Sequence, residues 1–334
     1  MKLFENLSIS NLATMVLFLG CVACSHSKLE PGTEPAELML PVSAPFRFVV
    51  YGDARFHDPK DTQAANPPVR QALVQAIAQT NPAFISFGGD IVYNGYDSDD
   101  WKVFDAETAV WREKRIPVYP ALGNHDLHGR EKVALANYFE RFPDLKNSVY
   151  YSVRAANTLM LVLDSALDEA SGPQGQWLIE KLDHLPGEVD FVLVVLHHPP
   201  YTSSSDAKKF GGGHSGRPQE QDLAKLLEAR QPNLRARIVV FSGHVHNYER
   251  HEHGGVTYFV SGGAGAHAYP IERAKDDPFQ SKEVNYHYLQ AEDGSGKLKI
   301  TMNRLDLTSA TAVWTQPDSV TISVPAAEAV AQGR

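Results

Sequence analysis

An α/β domain whose chemistry sits at the carboxyl ends of its strands is the fold class this sequence predicts, on three observations. The order strand, polar loop with metal-type side chains, helix recurs three times between residues 46 and 141. The run Phe191-Val192-Leu193-Val194-Val195-Leu196 is apolar without a break, as a strand buried on both faces requires. Residues 286–322 alternate through Tyr286, Ile300, Met302, Val313 and Ile322, with Asp293-Gly294 and Gly296 as turns, and read as a closing meander, not a second domain.

Taken in order, Phe46-Arg47-Phe48-Val49-Val50-Tyr51 is the first strand, closed by Gly52 and Asp53. A looser stretch holds Pro59, Pro67 and Pro68, after which apolar residues recur at helical spacing over 69–78. Residues 82–87 form the next strand and stop at Gly88-Gly89-Asp90; one helix is expected over 101–113. A short strand over 116–120 ends near Gly123-Asn124-His125-Asp126, and a helix follows over 131–141. Strands over 148–153 and 158–163 pair around Arg154-Ala155-Ala156-Asn157. A helix over 173–185 then leads into the apolar run, which ends at His197-His198-Pro199-Pro200-Tyr201. Residues 202–216, serine- and glycine-rich around His214, read as an irregular loop beside a site, and 219–228 as a helix. Ile238-Val239-Val240-Phe241 feeds Gly243-His244-Val245-His246-Asn247-Tyr248-Glu249-Arg250, and a strand over 256–260 turns at Ser261-Gly262-Gly263-Ala264-Gly265. Residues 266–282 read as a surface excursion whose charged run, 272–277, is solvated; Arg250 is expected to pair with an acidic neighbour.

The first residues differ in character. An apolar run from Leu12 to Cys21 has the length of an export signal and is too short for an ordinary membrane span. It ends in Gly20-Cys21 and then Ala23-Cys24, both similar to a bacterial lipoprotein processing site. Residues 1–24 are therefore expected to be an export segment, with acylation at Cys21 or Cys24 placing the protein in the bacterial periplasm or at the outer membrane by a lipid anchor. Plain secretion and retention of an uncleaved segment are the alternatives. Residues 25–44, rich in Pro, Glu and Ser, read as a flexible linker, 45–325 as the folded domain and 326–334 as a frayed tail.

Hydrophobic residues make up 43% and charged residues 21%, enough for one large core. A formal net charge of -9 leaves no basic stripe to neutralise phosphates, which excludes non-specific nucleic-acid binding as a function. The two cysteines both lie in the leader, so the domain has no disulfide and any metal must be held by nitrogen and oxygen.

Metal-type side chains gather at five strand ends: Asp53; Asp90 with Tyr93; Asn124 with His125; His197 with His198; His244 with His246. In an extended tip His244 and His246 point the same way, because a strand repeats every two residues. Carboxylate, imidazole, amide oxygen and phenolate suit Fe, Zn, Mn or Ni. So many ligands are too numerous for one ion and fit two ions sharing a bridging carboxylate.

Gly52-Asp53, Gly89-Asp90-Ile91-Val92-Tyr93, Gly123-Asn124-His125-Asp126, His197-His198-Pro199-Pro200-Tyr201 and Gly243-His244-Val245-His246 resemble the five ordered motifs of the calcineurin-like metallophosphoesterases, over residues 46–259. That resemblance implies a four-layer αββα sandwich of two mixed sheets flanked by helices. Arg55 stands where the general pattern has a histidine, and Tyr93 stands three residues after the second aspartate. This paired change resembles the purple acid phosphatase branch, catalytic part only.

The resemblance implies one metal held by Asp53, Asp90, Tyr93 and His246, and a second sharing Asp90 and adding Asn124, His197 and His244. It implies Fe3+ with a divalent partner, Zn2+, Fe2+ or Mn2+, because a phenolate favours ferric iron. The implied activity is phosphomonoester hydrolysis by a metal-activated hydroxide, on a phosphorylated small molecule or nucleotide. His125 would contact phosphate and protonate the leaving group, His214 is a second candidate for that place, and Arg55 a substitute phosphate contact. His57, four residues past Asp53, is a rival for the missing histidine, and His198 reads as supporting, not ligating. Two alternatives stay open: a phosphodiesterase or nucleotide hydrolase with two divalent ions, and a non-catalytic surface-binding lipoprotein. Oligomeric state is left open.

Overall fold

Strands with apolar residues on both faces need cover on both sides, and the chain supplies it as two sheets with helices outside them. The computed structural model describes residues 34–204, 216–307 and 312–325, so the leader, His214 and the tail lie outside the described residues. One sheet comprises β1 (Glu37–Leu40), β5 (Tyr151–Ala155), β6 (Thr158–Val162), β7 (Phe191–Val195), β8 (Arg237–Ser242), β9 (Tyr248–His253) and β10 (Val256–Ser261), in the order β1-β5-β6-β7-β8-β10-β9. The other comprises β2 (Phe46–Tyr51), β3 (Ile85–Phe87), β4 (Val118–Pro120), β11 (Tyr286–Gly294), β12 (Lys297–Asp306), β13 (Val313–Thr315) and β14 (Ser319–Ser323). Its order is β13-β12-β11-β2-β3-β4, with β14 also on β12. Both sheets are mixed: β6, β7, β8 and β10 run parallel, as do β2, β3 and β4, while the meander β11–β12 is antiparallel.

The helices are α1 (Pro67–Gln79), α2 (Ser98–Glu107), α3 (Ala109–Glu113), α4 (Glu131–Arg141), α5 (Gly172–Asp183) and α6 (Pro218–Arg230). Side chains of β7 divide as the period of two requires. Leu193 and Val195 join the core between the sheets with Phe48, Val50 and Leu289, and Val192 and Val194 join Leu178 and Leu182 of α5 and Leu223 and Leu227 of α6. The expected four-layer sandwich is what the chain forms.

Three expectations are corrected. Residues 37–40, read as linker, are β1, paired in parallel with β5 from Glu37↔Ser152 to Leu40↔Ala155 and secured by the Ala36 amide on the Ser148 hydroxyl at 3.0 Å. The single helix over 101–113 is two, divided at Thr108, whose hydroxyl donates back to the Phe104 carbonyl at 2.6 Å. The charged run 272–277 is not all solvated: Asp277 accepts from the Ser203 hydroxyl at 2.5 Å and faces His251 Nδ1 at 3.4 Å. Arg250 pairs with Asp318 at 2.9 Å, as expected of it.

Arg70, one turn into α1, is fully buried and fixes the loop that follows β2. Its guanidinium holds Glu107 at 2.8 and 2.7 Å, donates to the carbonyls of Arg55 at 3.1 Å and His57 at 3.2 Å, and lies 5.0 Å from the Phe56 ring centre.

Buried Glu169 meets buried Glu220 of α6. Burial, then the Glu220 charge, pushes the Glu169 carboxyl up from 4.5 to about 8. A carboxyl raised on folding contributes stability that is complete below its unfolded value and is lost as pH rises through its folded one. The stability of the wild-type chain relative to Glu169→Gln is therefore expected to fall steadily between pH 4.5 and about 8 and to level off above it. Urea titrations of both proteins across that range check it, and a difference that does not vary with pH contradicts it.

Candidate metal centre

The candidate ligands among the described residues follow the carboxyl ends of strands: Asp53 after β2, Asp90 and Tyr93 after β3, Asn124 and His125 after β4, His197 after β7, His244 and His246 after β8. Backbone bonds knit these ends together, from Asp53 N to Gly89 O at 3.0 Å, Gly243 N to His197 O at 2.9 Å and Ala264 N to Gly52 O at 3.0 Å. The turns are forced. Asp53, Asp90 and His244 take left-handed backbone with φ of 63°, 51° and 68°, a conformation that side-chain-bearing residues hold only where the surroundings impose it. Glycines let the backbone reach the carboxylates: a Cβ at Gly123 would lie 2.3 Å from Asp90 Oδ1, and one at Gly243 2.3 Å from Asp53 Oδ2.

Asp53, Asp90 and Asp126 are all fully buried. Asp126 is satisfied by amides, accepting from Ile91 at 2.9 Å, Val92 at 3.2 Å and Gly123 at 2.9 Å, and so ties the Asp90 turn to the Asn124 turn. Burial and then the Asp90 charge push its carboxyl up to about 8. Burial and then Asp90 also push Asp53 well above the ordinary range. For Asp90 burial acts upward, but His197, His125 and Arg55 outweigh it and hold the carboxyl well below its usual value. Arg55 Nη2 lies 3.2 Å from Asp90 Oδ2. A buried carboxylate group this dense, beside a single guanidinium, is short of positive charge.

The imidazoles are aimed. His197 donates Nδ1–H to Gly88 O at 2.9 Å, and its Nε2 faces Asp90 Oδ1 at 3.3 Å and Asn124 Oδ1 at 3.1 Å. His246 donates Nδ1–H to His267 O at 3.0 Å and turns Nε2 toward Asp53 Oδ1 at 3.7 Å. A ring whose Nδ1–H is spent on a carbonyl presents the lone pair of Nε2, which is how a metal-ligating histidine is oriented. His244 Nδ1 lies 3.1 Å from Asn124 Oδ1 and 3.2 Å from His197 Nε2. Ligand atoms of Asp53, Asp90 and His197 lie within 4.8 Å of one another, as do those of His197, His198 and His244. This donor set, all nitrogen and oxygen, fits two hard or borderline cations with Asp90 between them.

His244 and His246, expected to point the same way from an extended tip, do not. Residues 244–247 bend successively with His244 left-handed, so His244 meets Asn124 and His197 while His246 meets Asp53. Tyr93 stands beside the cluster, its ring between those of His57 at 5.1 Å and His125 at 5.3 Å. His57 does not replace the missing histidine: its Nδ1 is held by Asp100 and its Nε2 lies 3.3 Å from Asp61. His125 donates its amide to Asp90 Oδ1 at 2.9 Å and Nδ1–H to Tyr93 O at 2.8 Å, and burial lowers its pKa to about 4. Burial, then His197 and His244, hold His198 far below the ordinary histidine range.

Several supporting residues were not singled out from the sequence. Asp126 sits inside a motif and its neighbours signalled it. Tyr269, whose hydroxyl accepts the His246 amide at 3.3 Å and whose carbonyl holds Asn247 at 2.6 Å, lies in the excursion taken for surface. Ser165 and Arg217, behind His198, carry no sequence signal.

Comparison with known proteins agrees with this geometry. The model of the calcineurin-like phosphoesterase family matches residues 46–248. Among curated proteins the chain is 27% identical over 206 residues to phosphoenolpyruvate phosphatase of Allium cepa, covering 56% of this chain and 40% of that protein. It is 30% identical over 172 residues to purple acid phosphatase 22 of Arabidopsis thaliana, covering 48% and 37%. The chain thus spans less than half the length of these relatives. The structure of purple acid phosphatase PPD1 from Lupinus luteus superposes with a TM-score of 0.64 at 18% identity, over 84% of this chain and 54% of that one. With the family's model matched over residues 46–248 and a His/Asp cluster able to hold metal ions, the chain belongs to the calcineurin-like phosphoesterase family.

Proposed function

We propose that the protein is a phosphomonoesterase of the purple acid type, working with Fe3+ and a divalent ion on a phosphorylated small molecule. The observation that carries this reading is the position of Asp90, between Asp53 with His246 on one side and Asn124, His197 and His244 on the other. Asp53, Asp90, Tyr93 and His246 would hold one cation, and Asp90, Asn124, His197 and His244 the other. Bound there, two cations supply a water acidic enough to ionise near neutral pH and offset the charge of the phosphoryl oxygens. The chain does the rest. Arg55, half-buried beside Asp90, offers donors to the phosphoryl oxygens, and His125, its Nδ1–H held by Tyr93 O, would serve the leaving oxygen from Nε2 in its protonated form. The naming of the onion and Arabidopsis relatives as phosphatases supports the monoester reading.

Metal analysis with a panel of aryl phosphates and bis-aryl phosphates tests it. The expected result is iron plus one divalent ion, preference for the monoester, and a violet or pink absorption that Tyr93→Phe abolishes. A colourless, iron-free protein with full activity contradicts it and favours the diesterase or nucleotide hydrolase with two divalent ions. We also propose export with a lipid on Cys21 or Cys24, as the leader-like run over 12–24 supports; failure to incorporate labelled palmitate in a bacterial host would remove the anchor.

A further inference from the structure

His198 is one of three imidazoles whose nitrogens converge within 4.8 Å, and the chemistry of its neighbours separates it from the other two. Its ring stands 4.2 Å from that of His244 and 5.0 Å from that of His197, and unlike His197 it is only half-buried. Its Nδ1 lies 2.8 Å from the hydroxyl of Ser165, and the same hydroxyl accepts the His198 amide at 3.2 Å.

That pair of bonds decides where the ring hydrogen sits. Ser165 is 1% exposed, so its hydroxyl hydrogen has no solvent to turn to and must find an acceptor in the protein. Its oxygen already accepts from the His198 amide, and Nδ1 of the same residue is the acceptor in reach. The hydroxyl therefore donates to Nδ1, and the imidazole carries its hydrogen on Nε2. His197 and His246 have the opposite arrangement, since their Nδ1 faces carbonyl oxygens that can only accept. His197 and His246 thus carry a lone pair on Nε2, and His198 carries its N–H there. Ser165 is itself held in place: its carbonyl accepts from Arg217 Nη2 at 2.7 Å and Gln219 Nε2 at 3.2 Å, and Arg217 is anchored on buried Glu220 at 2.9 Å.

We propose that His198 is a catalytic residue, a hydrogen-bond donor from Nε2 to a phosphoryl oxygen at the Asn124–His197–His244 side of the centre, and not a metal ligand, with Ser165 as the positioning residue that sets its tautomer. This inference rests on the phosphatase reading above. A fixed donor there binds the anion and gains strength as charge builds on the equatorial oxygens.

The test uses the full chain loaded with Zn2+, a diamagnetic ion that leaves the histidine spectra readable, and has two parts. In long-range 1H–15N spectra of the histidines, His198 is expected as the Nε2–H tautomer, and the Nδ1–H tautomer overturns the inference. In calorimetric titration with inorganic phosphate, His198→Ala is expected to keep both metal ions and to bind phosphate about ten- to a hundredfold more weakly. His198→Gln, which keeps an N–H at the same reach, should recover most of that loss, and Ser165→Ala should show an intermediate one. Phosphate binding by His198→Ala equal to wild type, or loss of a metal ion in that variant, overturns the inference while leaving the phosphatase reading standing. A metal-loaded wild type that neither binds phosphate nor hydrolyses any ester removes both.

Discussion

Asp90→Asn is expected to lower phosphoesterase activity by about a thousandfold or more, and to reduce bound metal from two ions to one or none. The side chain is fully buried, with His197 Nε2 at 3.3 Å, the His125 amide at 2.9 Å and Arg55 at 3.2 Å. Asparagine keeps the volume and one acceptor oxygen, so the His125 amide keeps a partner. The negative charge that Asp90 offers both cations is lost, and Arg55 loses its counter-ion. Circular dichroism should show a folded protein, which separates loss of the centre from loss of the fold. Full metal content with activity within tenfold of wild type would contradict the assignment of Asp90 as the shared ligand.

The second large effect is on stability. Glu107→Ala leaves the Arg70 guanidinium, with its side chain 1% exposed, without its carboxylate, and a buried unpaired charge of this kind costs about 3–5 kcal/mol. Arg70 also carries the carbonyls of Arg55 and His57, so the loop holding Asp53 should loosen and metal affinity should drop about 10–100-fold, as for other groups that support ligands. Replacing both partners, Arg70→Met with Glu107→Leu, removes the uncompensated charge and should recover a large part of the loss. Urea unfolding of the two variants beside wild type decides it: a Glu107→Ala protein within ~1 kcal/mol of wild type would show the pair to be unimportant.

The central strands were legible because burial leaves a plain signature. Val192 and Val194 face one core and Leu193 and Val195 the other, so every position of β7 had to be apolar. The helix over 131–141 was legible for the opposite reason, a clear amphipathic period next to charged residues. What escaped was structure fixed by partners distant in sequence. β1 has only Leu38 and Leu40 to mark it and exists because β5 offers an edge. β9 reads as polar because Tyr248, Glu249 and His251 are buried against other polar groups, Glu249 receiving Thr202 at 2.6 Å and Ser203 at 2.6 Å.

At the centre the ligand-type residues were legible as residue types at strand ends, and their grouping required the fold. Left-handed backbone at Asp53, Asp90 and His244 cannot be read from a period, and the His244 ring goes to Asn124 and His197 while that of His246 goes to Asp53. Arg70 was invisible for a related reason. On a helix it passes for a solvated charge, and only the pairing with Glu107, 37 positions away, makes it a buried clamp.

Anomalous diffraction from crystals of metal-replete protein tests the two-cation centre most directly. Two peaks flanking Asp90 are predicted, one bounded by Asp53 and His246 and the other by Asn124, His197 and His244. A single ion, or peaks bound away from Asp90, would contradict it.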